Sequence, residues 1–358
     1  MEGRIKCGVL GAGWWATFAH IPALLSHPRA ELLAIQKNDR EGARKVAADF
    51  GVPYACTTTA ELLSIEGLQA VVVSSSPHLH YEQAAASLRQ GKHVLIEKPM
   101  TFTASQAREL LDLANQRNLQ FIISCPWHFT PHAAIAQRLV REGKLGSLRM
   151  ISVLMTNPVS QLLRGENTIP THGSEAQYLY PNRGTYSDPE IAGGGQIYTQ
   201  VCHVAAYLTF LTGLSASDVF AQFHNDGARL DIYDSLNIRM EDGTLVSIAS
   251  TGATSLNLRT YEVRIFGTEG ILYIDLWRGT MEFTSMAGET VTYPELGPGE
   301  IYPHQAPAIS LIDSIFDPVC NRSPASLGVA AMEMIEGACI SARSGQNILI
   351  SSLLEQQV

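Results

Sequence analysis

The chain has 358 residues, more than a single hydrophobic core usually organises, so two domains are expected. Hydrophobic residues make up 46% and charged residues 16%, with a formal net charge of −9. That balance excludes a disordered chain, and the lack of a basic stripe argues against a nucleic-acid surface.

The first apolar run, in "MEGRIKCGVLGAGWW", is too short to cross a bilayer and no small-residue cleavage site follows it, so a cytoplasmic protein with no membrane partner is expected. The six cysteines (Cys7, Cys56, Cys125, Cys202, Cys320 and Cys339) are scattered without a C-x-x-C pair, which predicts reduced core thiols.

Up to about residue 125, short apolar runs alternate with helical patterns. "IKCGVLGAG", "AELLAIQK", "LQAVVVSSS", "HVLIEKP" and "LQFIISCP" read as strands. "REGARKVAADFG", "AELLSIEG", "HYEQAAASLRQGK" and "TASQARELLDLANQRN" read as the helices between them. Continuous β-branched strands alternating with helices predict a parallel sheet covered on both faces. Beyond residue 127, a helix over "HAAIAQRLVREGKLG" leads into long strands of period two, with turns at Glu241-Asp242-Gly243, Gly267-Thr268-Glu269-Gly270 and Ala287-Gly288. Consecutive hairpins predict an antiparallel sheet. The fold class is therefore α/β, with a first domain over 1–126 and a second over 127–358. A closing helix over about 325–343 could pack back on the first domain.

"GVLGAGWWA" holds Gly11-x-Gly13-x-x-Ala16 directly after the first strand, with Trp14 and Trp15 inside it. Gly11 permits a tight turn, Gly13 lets a pyrophosphate approach the backbone, and Ala16 allows close helix packing. This predicts a dinucleotide cofactor. At the end of the second strand, where a ribose-binding acid is usual, "QKNDR" places Lys37 with Arg40 after it. Two cations favour a 2′-phosphate, so the reading leans to NADP over NAD, with Asp39 as a displaced ribose acceptor.

"VVVSSSPHLHYEQAAASLRQGKHVLIEKPM" is more specific. With the glycine turn, "AGGGQIYTQVCH" and "VRIFGTEGILYID", it closely resembles the Gfo/Idh/MocA oxidoreductases, the glucose–fructose oxidoreductase and inositol dehydrogenase family. The resemblance implies a Rossmann domain followed by an α/β domain with a large, mostly antiparallel open sheet, through which a homodimer or homotetramer forms. It also implies that Lys98 reaches the substrate near the nicotinamide, that Glu97 and Pro99 shape its turn with a cis bond, and that Ser74, Ser75, Ser76 and His80 line the cofactor. Trp127, in "SCPWHFTP", reads either as a wall of the nicotinamide ribose or as a buried aromatic.

In relatives the segment after Gly193-Gly194-Gly195 carries Asp and His four residues apart, both in the active site. Here the His is kept as His203 and Thr199 replaces the Asp. Residues four apart share a helix face, so Thr199 is expected to orient His203. His203 or Lys98 would move the proton of a sugar or polyol hydroxyl during hydride transfer. No second His or carboxylate shares the His203 face at ligand spacing, so no metal is expected. The polar stretch over 157–192 supplies Arg164, His172, Tyr178, Tyr180, Arg183 and Tyr186. Arg183 and Tyr186, nearest the glycines, are the substrate candidates, against a plain surface or subunit-contact loop. Two alternatives stand beside a sugar dehydrogenase: a redox-neutral glycoside hydrolase that retains its nucleotide, and a non-catalytic nucleotide-sensing regulator.

Overall fold

The computed structural model describes residues 3–166 and 179–355. Strand β1 (Ile5–Leu10) runs into the glycine turn, a π-turn at Ala16–His20 and helix α1 (Ile21–Ser26). Then come β2 (Ala30–Gln36), α2 (Arg40–Phe50), β3 (Tyr54–Cys56), α3 (Thr59–Leu63), β4 (Ala70–Val73) and α4 (His80–Arg89). β5 (His93–Ile96), α5 (Ala104–Gln116) and β6 (Phe121–Ile123) complete the alternation. All six strands are parallel, in the order β3-β2-β1-β4-β5-β6. This is the doubly wound Rossmann arrangement, whose order reverses between β1 and β4.

Local chemistry sets the helix ends. The Asp39 carboxylate accepts the Gly42 N–H at the start of α2, and Gly51 ends that helix in the left-handed region. Thr58 and Glu61 cap α3 reciprocally, and Thr103 caps α5. Val9, Ile35, Val72, Leu95 and Ile122 are sealed in one core.

The rest of the chain holds α6 (Pro131–Arg141), β7 (Leu148–Thr156), α7 (Ser160–Leu163), α8 (Pro189–Ala192), a second π-turn at Ile197–Val201 and α9 (Cys202–Thr212). Strands β8 (Ala216–His224), β9 (Tyr233–Met240), β10 (Leu245–Thr251), β11 (Thr260–Gly267), β12 (Gly270–Asp275), β13 (Thr280–Ser285) and β14 (Thr290–Thr292) follow. Last come α10 (Pro298–Ile301), α11 (Ala306–Phe316), α12 (Ala325–Ser344), β15 (Ile348–Leu349) and α13 (Ser352–Glu355).

The second sheet runs β14-β13-β12-β11-β7-β10-β9-β8-β15. It is antiparallel except where β7 and β10 pair in parallel. Along β9, Asp234, Leu236, Ile238 and Met240 turn inward and the residues between them outward, the period-two pattern of a sheet with one covered face. On the covered face the Ser341 hydroxyl of α12 accepts the Ala221 N–H of β8 at 2.9 Å. By length and composition α12 could cross a membrane, but 56% of that window is buried inside the fold.

The chain parts into two compact units. The first takes the chain up to Ser124, the described residues just before Tyr186, and His304–Val329; the second takes the rest. A single break near residue 126 is thus replaced by a chain that returns to the first unit. The reason is packing: Ala308, Leu311 and Ile312 of α11 bury in the same core as Val9 and Ile35. An apolar helical face signals burial in the sequence but does not name the partner surface.

Candidate active site

At the end of β1, Gly11 has φ +79°, and a Cβ built there would lie 2.3 Å from Ser75 Cα. The turn is therefore pressed against the segment after β4, and only glycine fits. Gln36 holds it from the other side. Its carbonyl accepts the Ala12 N–H at 2.8 Å, and its side-chain Oε1 accepts the Gly11 N–H at 3.1 Å. A Cβ on Gly13 would meet nothing nearer than the Gly11 carbonyl at 3.9 Å. That opening beside bare backbone is what a pyrophosphate needs, so the turn fits a dinucleotide. Gln36 escaped notice in the sequence; a buried amide closing an apolar strand was its only signal.

Just beyond β2, Lys37 Nζ lies 3.6 Å from Asp39 Oδ2. Asp39, considered as a ribose acceptor, is used as the cap of α2. Arg40 opens that helix and is exposed.

Ser74, Ser75 and Ser76 follow β4. The Ser75 hydroxyl donates to Gln83 Oε1 at 2.7 Å. His80 is buried, with Nδ1 2.7 Å from the Pro99 carbonyl and Nε2 3.0 Å from the Ser75 carbonyl. It staples the serine segment to the turn after β5. Burial pulls its imidazole below the ordinary histidine range, against the pull of the two carbonyls.

The Lys98–Pro99 bond is cis, and Lys98 is half-buried at the carboxyl end of β5, where ligands bind in such sheets. The preceding Glu97 is buried. Its Oε1 accepts from Trp15 Nε1 and His20 Nε2, each at 2.8 Å, and its Oε2 accepts the Lys98 N–H at 3.2 Å. Burial alone would raise the Glu97 carboxyl, but His20 and Lys98 outweigh it and hold the group below the ordinary carboxylate range. Trp15 is thereby fixed edge-on to Trp14 at 5.2 Å, and His304 stacks on Phe18 at 4.6 Å beside it. The sequence offered no reason to single out His20 or His304.

In the second unit, a Cβ on Gly195 would lie 2.0 Å from the Asp231 carbonyl oxygen. Thr199 lies within the π-turn at Ile197–Val201, which leads into α9 at Cys202 and adds one residue to the helical turn there. The Thr199 hydroxyl donates to the Gly195 carbonyl at 2.8 Å, so its hydrogen serves the helix itself. His203 is 4% exposed and meets Trp127 edge-to-face at 5.1 Å. Trp127, itself 2% exposed, also touches the rings of Tyr261, Trp277 and Tyr302 at 4.7–5.1 Å. It is the centre of a buried aromatic cluster in the second unit. Among the described residues, no three His, Cys, Asp or Glu side chains gather to hold a metal.

Of the loop candidates, Arg183 is exposed and Tyr186 half-buried. Arg164 pairs with Asp226 at 2.6 Å. Tyr180 is exposed, and His172 and Tyr178 lie outside the described residues.

Two family models match the chain. "Oxidoreductase family, NAD-binding Rossmann fold" covers residues 5–125 and "GFO/IDH/MocA C-terminal domain" covers 134–273. An uncharacterized oxidoreductase of Synechocystis sp. is 33% identical over 60% of this chain, a match spanning about half (53%) of that protein's length. The dTDP-3,4-didehydro-2,6-dideoxy-alpha-D-glucose 3-reductase of Streptomyces antibioticus is 27% identical over 87% of this chain and 83% of its own. Among solved structures, levoglucosan dehydrogenase in complex with NADH and levoglucosan superposes with TM-score 0.79 at 18% identity, over 97% of this chain and 99% of that one. That last likeness is one of fold.

Proposed function

Because the chain belongs to the Gfo/Idh/MocA family of NAD-binding oxidoreductases, we propose that it moves a hydride between nicotinamide C4 and a hydroxyl-bearing carbon of a sugar, sugar derivative or polyol. The observation that carries this is the Glu97-Lys98-Pro99 turn at the carboxyl end of β5, on the same end of the parallel sheet as the Gly11–Gly13 turn after β1. The sugar class is supported by the sugar substrates in the relatives' names.

The dinucleotide, when bound, supplies C4 as hydride acceptor or donor. The chain supplies the rest. Gly11, Gly13, Ala16 and the Ser74–Ser76 segment would hold its phosphates and ribose, with Trp14 and Trp15 alongside. The Lys98 ammonium and the His203 imidazole are the groups proposed to orient the substrate hydroxyl and take its proton. Thr199 fixes the backbone that carries His203, and Trp127 is the wall on which that ring rests. Arg183 and Tyr186 are proposed substrate contacts. A positioned base contributes about 10²–10⁴ in rate, so Lys98→Ala and His203→Ala should each lower kcat by amounts in that range. Absorbance at 340 nm over a sugar and polyol panel tests this. Full retention of turnover in both variants would remove the assignment.

NADP is the proposed preference. Lys37 and Arg40 are cations that favour a 2′-phosphate, and Asp39 accepts the Gly42 N–H at the α2 cap. Lys37→Ala should then lower kcat/KM for NADP more than for NAD.

Thr199 in place of an aspartate supports a second reading, a redox-neutral glycoside hydrolase. Glycoside cleavage that requires nucleotide but leaves 340 nm unchanged would identify it. The six free cysteines suit a reducing, cytoplasmic compartment. The outward face of the second sheet shows Met150, Leu154 and Leu245 at 41–50% exposure, which supports a homo-oligomer through that face. Light scattering on the purified protein would read its mass.

A further inference from the structure

We infer that Gln36 is a positioning residue for the cofactor: its buried amide locks the glycine turn and the side chain of Asn38 into one unit, and so presents Asn38 as a hydrogen-bond donor to the 2′-phosphate that distinguishes NADP from NAD. The inference rests on the reading of NADP as the preferred nucleotide.

The first link is where Gln36 lies. It ends β2 and is 3% exposed. It pairs in register with Leu10 at the end of β1 and with Cys56 at the end of β3. The loops that leave these three strands therefore start beside it, and its side chain reaches all of them. Its Oε1 accepts the Gly11 N–H at 3.1 Å in the glycine turn. Its Nε2 donates to Asn38 Oδ1 after β2 and to the Thr57 carbonyl after β3, each at 3.0 Å. Both amide hydrogens are thereby used. Thr57 is held in turn by Glu61 Oε2, which accepts its N–H at 2.6 Å.

The second link is direction. The backbone decides which way round the Gln36 amide sits. The Gly11 N–H only donates and the Thr57 carbonyl only accepts, so the amide oxygen faces Gly11 and the nitrogen faces Thr57. Nε2 then has only a hydrogen to offer Asn38, and Asn38 meets it with Oδ1. The end of Asn38 turned away from Gln36 is therefore Nδ2, which carries two hydrogens. Asn38 is exposed and follows β2, where the adenosine ribose of a dinucleotide is placed in this fold.

The third link is chemistry. A carboxylate after β2 selects NAD because it accepts from a ribose hydroxyl, whereas a 2′-phosphate brings acceptor oxygens and needs donors. Lys37 and Arg40 supply charge there, on long side chains. The chain from Gly11 through Gln36 to Asn38 supplies a donor of fixed direction, set by a residue buried behind the site.

Binding of NADP⁺ and of NAD⁺ to the full chain, by calorimetric titration, tests this without turnover. The wild type should bind NADP⁺ more tightly. Gln36→Leu keeps the bulk and removes the amide. It should weaken both nucleotides and cut the NADP preference about 10-fold, the scale of one hydrogen bond to a charged group. Asn38→Ala should cut the preference by a similar factor and leave NAD⁺ binding little changed. The double variant should lose no more preference than either single one, because both remove the same donor. Asn38→Asp, which puts an oxygen where Nδ2 was, should reverse the preference. A preference unchanged in Gln36→Leu or Asn38→Ala, or losses that add in the double variant, overturns the relay and leaves the NADP reading standing. A wild type that prefers NAD⁺ overturns that reading and the donor role of Asn38 with it. Where Gln36→Leu does not fold, Asn38→Asp decides, and an unchanged preference there overturns the proposal.

Discussion

Glu97 Oε1 receives both Trp15 Nε1 and His20 Nε2 at 2.8 Å, so one buried carboxylate ties the helix after the glycine turn to the residue that precedes Lys98. The two turns at the ligand end of the first sheet are thereby one mechanical unit. Removing the charge should weaken both contacts. Glu97→Gln is expected to cost about 2–3 kcal/mol, the scale of hydrogen bonds to a charged group. The wild-type contribution is present above the ordinary carboxylate pKa and is lost as pH falls through the lowered folded value. Denaturant unfolding at neutral and acid pH should show the variant's deficit shrinking toward acid.

His80 makes a second, independent tie, between the Ser75 and Pro99 carbonyls. Two acceptors ask for two ring protons, whereas burial favours the neutral ring, and burial prevails in direction. The depressed folded pKa means that its stabilisation is present above about 6.5 and is lost as pH falls from there through the folded value. His80→Ala should cost about 1–3 kcal/mol by leaving a buried carbonyl unpaired. It should also raise KM for the nucleotide, as read by initial rates, because the serine segment loses its anchor.

Gly11 permits no side chain on two counts: φ is +79°, and Ser75 Cα lies where a Cβ would go. Gly11→Ala should destabilise by about 1–3 kcal/mol or more and abolish nucleotide binding. Quenching of Trp14 and Trp15 fluorescence by added nucleotide would measure the loss.

At Gly195 the obstacle is contact alone, since a Cβ would lie 2.0 Å from the Asp231 carbonyl oxygen. Gly195→Ala must push the helix start off its acceptors. A cost of about 1–3 kcal/mol is expected from overpacking. The His203 NMR signal should shift even where the protein stays folded.

Much of this fold was legible in residue order. Alternating Val/Ile strands and helical patterns declare a parallel sheet because each such element must hide both faces. The Glu-Asp-Gly turn between β9 and β10 declares its hairpin because Gly243 takes φ +88° there. The glycine turn was legible because close backbone approach demands glycine at fixed spacing, whereas Glu97-Lys98-Pro99 stood out through its resemblance to the family. Periodicity could not show the two π-turns, because one extra residue in a helical turn leaves an apolar pattern almost unchanged.

Residue order by itself thus determined the two sheets and the glycine turn, which follow from short-range spacing and the hydrophobic pattern, whereas Lys98 and His203 stood out through the resemblance to the family. Only the tertiary structure decided that α11 rejoins the first core, that His20 and Trp15 share Glu97, and that Asp231 accepts the Gly195 and Ile197 N–H groups ahead of the helix of His203. A buried polar group must find its hydrogen-bond partner wherever the folded chain brings one, and that partner carries no mark in the local sequence.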